Sequence, residues 1–173
     1  ISSIAGNIKP HHDVALADLV LKRETLLASV KDIIESYRPD VIGLSAMTFQ
    51  FDTARRLADY IKGLYPNIKI AGGGYHATLM YEEIASSEEG KSFDFIVRGE
   101  GEKTFDELLD AIEGKRTLAD VPGLSYRHNG GFSHNEPRPL DNLDTLQLPR
   151  RNARVWQGYF FSGKGLDMIK TSR

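Results

Sequence analysis

The 173-residue chain contains no cysteine, so it can form no disulfide, thiolate metal site or iron–sulfur cluster within this segment. No apolar run approaches the roughly 18–20 residues that cross a bilayer, and no signal peptide is recognisable. The formal net charge of −2 gives no electrostatic reason to bind nucleic acid or an anionic membrane surface. Hydrophobic residues make up 40% and charged residues 27%, an ordinary globular balance, and we expect a cytoplasmic location.

Several catalytic and phosphate-binding motifs are also missing. The chain has no G-x-G-x-x-G, no G-x-x-x-x-G-K-[ST], no G-x-S-x-G and no H-E-x-x-H. These absences argue against a dinucleotide site, a P-loop, a serine nucleophile elbow and a zinc-binding helix. A nucleotide-sugar or signalling domain is disfavoured too, because no basic or phosphate-cradling loop is present. We predict no catalytic residue and no metal ligand in this chain.

Strand and helix patterns alternate through the first part of the chain. Apolar runs typical of buried strands lie at 40–45, 68–71 and 94–97. Helical spacing of apolar residues is found at 23–37, 51–65, 79–86 and 103–113, and a helix end is expected at 1–8. This alternation predicts βαβ units, and therefore an α/β fold of flavodoxin or Rossmann type. Its sheet should be mostly parallel, with helices on both faces. The alternating residues 13–18 resemble a further short strand.

The pattern changes after Pro122. Residues 123–136 resemble a β-hairpin that turns at His128, Asn129 and Gly130. The following residues are rich in Pro, Asp, Asn and Arg, which is typical of an extended linker. We therefore divide the chain into an α/β domain at 1–122, a hairpin at 123–136, and a linker at 137–173 that ends in one more possible strand.

Three loops with unusual composition follow the three predicted strands. The carboxyl ends of parallel strands lie at one sheet edge, where such folds bind ligands, so we expect these loops to converge there. The candidate binding residues are Ser45, Ala46, Met47 and Thr48 in the first loop, Gly72, Gly73, Gly74 and His76 in the second, and Gly99, Glu100, Gly101 and Glu102 in the third.

Each loop also has a purely structural interpretation. The glycines could serve a tight turn as well as the close approach of a ligand to the main chain. Thr48 or Asp52 could cap the next helix. Glu100 and Glu102 suit the first turn of a helix, and they would accept hydrogen bonds from a neutral ligand but repel a phosphate. For His76 alone, a loop histidine is the simpler interpretation. These alternatives stay open on the residues alone.

The three loops, in this order and spacing, resemble a known family. Residues 39–45, 72–78 and 94–102 look like the cobalamin-binding domain that precedes the barrel of cobalamin-dependent radical S-adenosylmethionine enzymes. That family includes the anaerobic magnesium-protoporphyrin IX monomethyl ester oxidative cyclases and many methyltransferases. The resemblance covers about residues 1–140. In the family, a segment like 168–173 leads into the C-x-x-x-C-x-x-C loop that holds a [4Fe–4S] cluster.

The resemblance implies a fragment that binds cobalamin and is not catalytic alone, whose parent also uses a [4Fe–4S] cluster and S-adenosylmethionine. The first candidate loop would border the nucleotide tail or corrin edge. Gly72–Gly74 and His76 would flank the buried tail, and Gly99–Glu102 would close another side of the corrin. The D-x-H-x-x-G motif of methionine-synthase type is absent, so the resemblance assigns His76 no bond to cobalt. The alternative function is a degenerate structural or interaction module without cofactor.

One departure concerns the first strand of the family fold, which would precede Ile1. That strand is central in a flavodoxin-like order, so we expect a gap or exposed edges in the sheet. The segment 166–170, from this chain or a neighbouring one, is predicted to fill the slot, which would permit a homodimer by strand exchange. Both ends of the chain look cut from a longer protein, in which the radical S-adenosylmethionine domain is the expected partner.

Overall fold

A computed structural model describes residues 1–162 and 164–165 of the chain. Its centre is a five-stranded sheet in the order β1-β2-β3-β4-β5. The strands are β1 (Val41–Ser45), β2 (Lys69–Gly73), β3 (Phe95–Val97), β4 (Leu124–His128) and β5 (Gly131–His134). The first three are parallel, and β4 and β5 run antiparallel as the predicted hairpin. The expected α/β fold with a mostly parallel sheet is confirmed.

The helices follow the predicted alternation with shifted boundaries. They are α1 (Ser2–Asn7), α2 (Leu26–Tyr37), α3 (Phe51–Leu64), α4 (Tyr75–Leu79), α5 (Tyr81–Ser86) and α6 (Gly101–Ile112). Helix α2 ends where Arg38 adopts a left-handed conformation with φ of 47°, directly before Pro39, which cannot continue a helix. Within the described residues, no helix has the length and apolarity needed to span a bilayer.

Two apolar clusters cover the two faces of the sheet. On one face, α2 and α3 bury Val30, Ile34, Leu57 and Ile61 against Ile70 of β2. On the other face, α6 buries Leu108 in a cluster whose remaining members are Ala71, Phe95, Val97, Val121 and Leu124. Burial from both sides explains why the central strand β3 is fully buried along its length.

The segment after the hairpin lies against α6 and α1. Arg138 donates to Thr104 Oγ1 at 2.8 Å and pairs with Glu107, both on α6. Lys103 Nζ lies 2.6 Å from a carboxylate oxygen of Asp141. These contacts show where part of the predicted linker runs, while the domain boundaries proposed from the sequence stay predictions.

One local prediction was wrong, and one helix was missed. Residues 13–18 do not form a strand, because their only ladder contact with the described residues is a single parallel bridge between Leu16 and Arg154. An alternating pattern suits a strand but provides no partner for it. The helix predicted at 79–86 is present as α5, whereas the separate short helix α4, which begins at Tyr75 directly after the glycine turn, was not predicted.

Among the described residues, no strand pairs with the outer side of β1. Asp40 O accepts from Lys69 N–H at 2.9 Å, and Ala46 N–H donates to Gly73 O at 3.1 Å, so these groups face β2. The main-chain N–H and C=O groups of successive residues point to opposite sides of a strand. Those of the odd-numbered residues Val41, Gly43 and Ser45 therefore point away from β2. The described strands thus leave an exposed edge at β1, without a gap between paired strands. The segment 166–170 that was predicted to fill the slot lies outside the described residues, which end in a small hairpin of Phe160–Phe161 with Lys164–Gly165.

Candidate functional site

The carboxyl ends of β1, β2 and β3 bring the three candidate loops together. In the strand register, Ser45 lies opposite Gly73, and Gly72 lies opposite Ile96. The Ala46 N–H donates to the carbonyl of Gly73, so the first loop is bonded directly to the second. The predicted convergence of the loops at one sheet edge is confirmed.

Gly74 is the tightest point of this edge. Its φ of 91° and ψ of −170° lie in a region that is essentially restricted to glycine. A Cβ atom here would lie 2.7 Å from Ala46 O and 3.0 Å from Ser45 Oγ. Gly72 is constrained differently, because its Cβ would lie 3.1 Å from the Phe93 ring. Gly74 is thus required by internal packing, and a Cβ at Gly72 would force the Phe93 ring to shift by a few tenths of an ångström, whereas at Gly73 the nearest atom would be 3.7 Å away.

His76 lies in the first turn of α4 and not in a loop. Its imidazole ring packs on Phe51, with ring centroids 4.2 Å apart and planes tilted by 34°. Its main-chain N–H donates to Ala46 O at 3.5 Å. The Nδ1 atom is buried and has no hydrogen-bond partner among the described residues. A buried imidazole nitrogen without a partner is unfavourable.

Thr78 is a site residue that the list of candidates omitted. Its hydroxyl donates to Gly74 O at 2.9 Å and accepts from the Gly99 N–H at 3.0 Å. One side chain therefore joins the second loop to the third. A hydroxyl residue one turn beyond a glycine run was the available signal, since such a side chain can reach back to the preceding carbonyl.

The loop after β1 is not organised by the expected caps. Helix α3 has Gln50 as its N-cap residue, so neither Thr48 nor Asp52 has that role. Instead, the Gln50 side chain accepts from the Met47 N–H at 3.0 Å. Asp52 pairs with Arg55 and Arg56. The hydroxyls of this loop are therefore not needed to start the helix, and both Ser45 and Thr48 are exposed.

The third loop combines one packed and one open glycine. Gly101 is buried, and a Cβ there would lie 3.0 Å from the Ile4 side chain of α1. Gly99, with φ of 73°, has open space where its Cβ would be. Glu100 is the N-cap residue of α6, and Glu102 lies in its first turn, as predicted. The carboxylates are thus placed where the helix dipole favours them.

Large apolar side chains are exposed in the first two loops and in α4. Phe49 is 83% exposed, Tyr75 58% and Leu79 59%, and Met47 is also exposed. Exposed aromatic and aliphatic groups beside a cluster of glycines are typical of a binding surface. Together with the hydroxyls and carboxylates, they offer apolar contact and hydrogen-bond acceptors to a large neutral ligand.

Arg98 holds the hairpin against this edge. Its guanidinium donates to the carbonyls of Leu124 and Asn135 and lies 4.6 Å from the centre of the Tyr81 ring. Nearby, His134 Nδ1 is 2.8 Å from Ser125 Oγ. Burial lowers the pKa of His134, and the neighbouring Arg98 cation lowers it further. These surroundings therefore favour the neutral form of the His134 imidazole.

A family comparison identifies this arrangement. The model described as "B12 binding domain" matches residues 2–109, which include the three loops. The chain belongs to the B12 binding domain family. The resemblance drawn from the loops is thereby confirmed, and cobalamin as cofactor is supported at the level of the family.

Curated relatives are longer than this B12 binding domain chain. It is 32% identical over 174 residues to an uncharacterized methyltransferase of Pyrococcus horikoshii, covering 100% of the chain and 37% of that protein. It is 29% identical over 168 residues to the anaerobic magnesium-protoporphyrin IX monomethyl ester cyclase of Rubrivivax gelatinosus, covering 93% and 30%. The chain thus spans about a third of these relatives.

Solved structures share the fold of the B12 binding domain. The methyltransferase TsrM from Kitasatospora setae, solved with cobalamin and a [4Fe–4S] cluster, matches with a TM-score of 0.59 at 22% identity. That match covers 76% of this chain and 24% of TsrM. OxsB, solved with aqua-cobalamin and S-adenosylmethionine, matches with a TM-score of 0.57 at 25% identity, covering 66% of this chain and 16% of OxsB.

Proposed function

We propose that this chain is the cobalamin-binding part of a larger cobalamin-dependent radical S-adenosylmethionine enzyme. The observation that carries the proposal is the convergence of three loops at the carboxyl edge of the sheet, within a domain of the B12 binding family. The parent reaction would be a methyl transfer or an oxidative cyclisation, as the names of the relatives suggest. The described part of the chain supplies binding and not catalysis.

The residues at the edge fit the cofactor. A corrin carries many amide groups, and Glu100, Glu102 and the hydroxyls of Ser45 and Thr48 are acceptors for such donors. Phe49 and its exposed apolar neighbours would cover hydrophobic surface of the ring. We propose all twelve candidate residues, from Ser45–Thr48, Gly72–Gly74, His76 and Gly99–Glu102, as the lining.

The protein residues would mainly position the cofactor. Gly73 adds no side chain at this edge, so a ligand could approach its main chain closely. Thr78 keeps the second and third loops in register, which preorganises the edge before binding. When bound, cobalamin would supply a cobalt centre for group transfer, while a [4Fe–4S] cluster and S-adenosylmethionine in the rest of the enzyme would supply radical chemistry.

Incubation with hydroxocobalamin followed by desalting tests the proposal. We expect visible corrin absorbance to remain with the protein in a ratio that saturates near one per chain. Gly73→Val should abolish retention and leave the fold intact, since the nearest atom to the new Cβ, Val97 O, would lie 3.7 Å away, an ordinary van der Waals contact. Gly131→Val is the matched control, because Gly131 is also a strand glycine with open space and lies in the hairpin.

The competing function is a degenerate module that no longer binds cobalamin. The packing requirements at Gly72 and Gly74 favour it in one respect, because both glycines are explained without a ligand. Under that alternative, the folded chain would retain no corrin absorbance. Equal retention by Gly73→Val and by the unchanged chain would place any bound corrin elsewhere and refute the proposed lining.

We further propose that the open edge of β1 pairs with a strand from a second copy of this chain. The outward main-chain groups of Val41, Gly43 and Ser45 support such strand addition, because an unpaired edge is a template for another strand. Light scattering over a range of protein concentrations should then show a dimer. A monomer at every concentration would overturn this proposal without affecting cobalamin binding.

A cytoplasmic location of the parent enzyme also stays a proposal, supported by the ordinary composition of the chain. The same holds for the division into a domain at 1–122, a hairpin at 123–136 and a linker at 137–173. Limited proteolysis would test those boundaries, with first cleavage expected beyond residue 136. Early cleavage inside the α/β domain would contradict the division.

A further inference from the structure

Two adjacent histidines and a glutamate meet at the opposite end of α6. His11 and His12 lie in the turn after α1, and Glu113 is the C-cap residue of α6. Each of the three offers a ligand atom, and these atoms all lie within 4.8 Å of one another. Because α6 starts at the cofactor edge and rises 1.5 Å per residue, this cluster lies about 18 Å from that edge.

The two sides of the cluster are held together by neighbouring ion pairs. The main-chain N–H of Lys9 donates to Asp106 Oδ1 at 2.9 Å, and the Lys9 ammonium pairs with both Asp106 and Asp110. These contacts attach the segment directly before the histidines to the helix that carries Glu113. The donor groups are therefore brought together before any ion binds.

Lys115 shows that the cluster attracts a cation. Its ammonium lies 2.5 Å from Glu113 Oε2 and 3.4 Å from His11 Nε2. The same two acceptor atoms are 3.5 Å apart. That spacing is close to the roughly 3.4 Å expected between two ligands of a tetrahedral zinc ion with bonds of about 2.0–2.2 Å. Lys115 is half-exposed and can rotate away to release the position.

His12 adds an unsatisfied group. Its Nε2 atom is buried and has no hydrogen-bond partner among the described residues. Its ring lies against that of His11, with centroids 4.1 Å apart. Coordination of a metal ion would satisfy a polar atom that otherwise costs free energy.

We propose that His11, His12 and Glu113 form a binding site for a zinc ion that fastens the turn after α1 to the end of α6. Two imidazoles and one carboxylate are a ligand set that suits Zn²⁺, with a further position for water. The site is independent of the cofactor edge, and it uses no thiolate.

Calorimetric titration of the untagged chain with ZnCl₂ tests the proposal. We expect one site per chain, and each of His11→Ala, His12→Ala and Glu113→Gln should weaken binding by about tenfold or more. Lys115→Met should strengthen binding, because the competing ammonium is removed. His128→Ala and Lys91→Met are the controls, and both should bind as the unchanged chain does.

The exposed positions of His11 and Glu113 keep the test independent of folding, which circular dichroism of the metal-free variants checks. Zinc should also raise the thermal midpoint of the unchanged chain and not that of the three ligand variants. No detectable binding overturns the proposal, and so does binding that is unchanged in His11→Ala and Glu113→Gln.

Discussion

Replacing Gly74 by alanine tests whether the carboxyl edge of the sheet, where the three loops meet, requires a residue without a side chain at this position. The backbone of Gly74 lies in a glycine-only region, and placing another residue there costs about 1–3 kcal/mol. The new Cβ would also lie 2.7 Å from Ala46 O and 2.9 Å from Ala46 N. These are main-chain atoms of Ala46, whose N–H is bonded to Gly73 O, so they cannot move aside cheaply. Overpacking of this kind costs about another 1–3 kcal/mol.

Together the two effects predict that Gly74→Ala lowers the free energy of unfolding by about 2–6 kcal/mol. A loss of this size is a large fraction of the stability of an ordinary domain, which is about 5–15 kcal/mol. Any corrin retention should fall as well, because the strain separates the first loop from the second. Denaturant unfolding, followed by circular dichroism, measures the first effect, and the desalting assay measures the second.

Gly114→Ala is the matched control. Gly114 follows α6 with φ of 78°, but its Cβ would meet no atom within 4 Å. It should therefore show only the conformational cost, about 1–2 kcal/mol. The excess loss in Gly74→Ala reports the contact with Ala46 together with the greater conformational cost of the Gly74 backbone. A loss no larger than that of Gly114→Ala would refute the argument that Gly74 is required by close packing of two loops.

Two further predictions concern other parts of the fold. Burial holds the pKa of His134 in the folded chain below its ordinary 6.5, so the unfolded chain takes up the proton first as the pH falls. The contribution of His134 to stability is therefore complete above pH 6.5 and declines as the pH falls towards the pKa of the folded state. Urea unfolding between neutral and mildly acidic pH should show a smaller decline of the free energy of unfolding in His134→Gln than in the unchanged chain. An identical pH profile in these two proteins would contradict the prediction. Changing the fully buried Leu108 to alanine should lower the free energy of unfolding by about 2–5 kcal/mol. Leu64→Ala, at a half-exposed position, should change the free energy of unfolding by no more than about 0.5 kcal/mol. Equal losses of stability in Leu64→Ala and Leu108→Ala would contradict the assigned core.

Local patterns in the sequence determined the type and order of the main elements. The helical spacing at 51–65 and the apolar run at 94–97 predicted α3 and β3 to within a few residues. The Asn129-Gly130 turn predicted the hairpin, and both residues indeed adopt positive φ. These predictions succeeded because side-chain periodicity and turn chemistry act over only a few residues. The convergence of the three loops followed in turn from the parallel order of the strands.

The tertiary structure decided what each loop residue contacts. Gly72 faces Phe93 and Gly74 faces Ala46, which no spacing rule could distinguish beforehand. Thr78 joins two loops that are about 20 residues apart in the chain, and its role depends on the register of β2 beside β3. The same reason explains the failure at 13–18, where an alternating segment has only one bridge as partner. Side-chain pattern is a property of the segment, whereas pairing, burial and the meeting of His11 with Glu113 depend on which distant segments the fold places beside it.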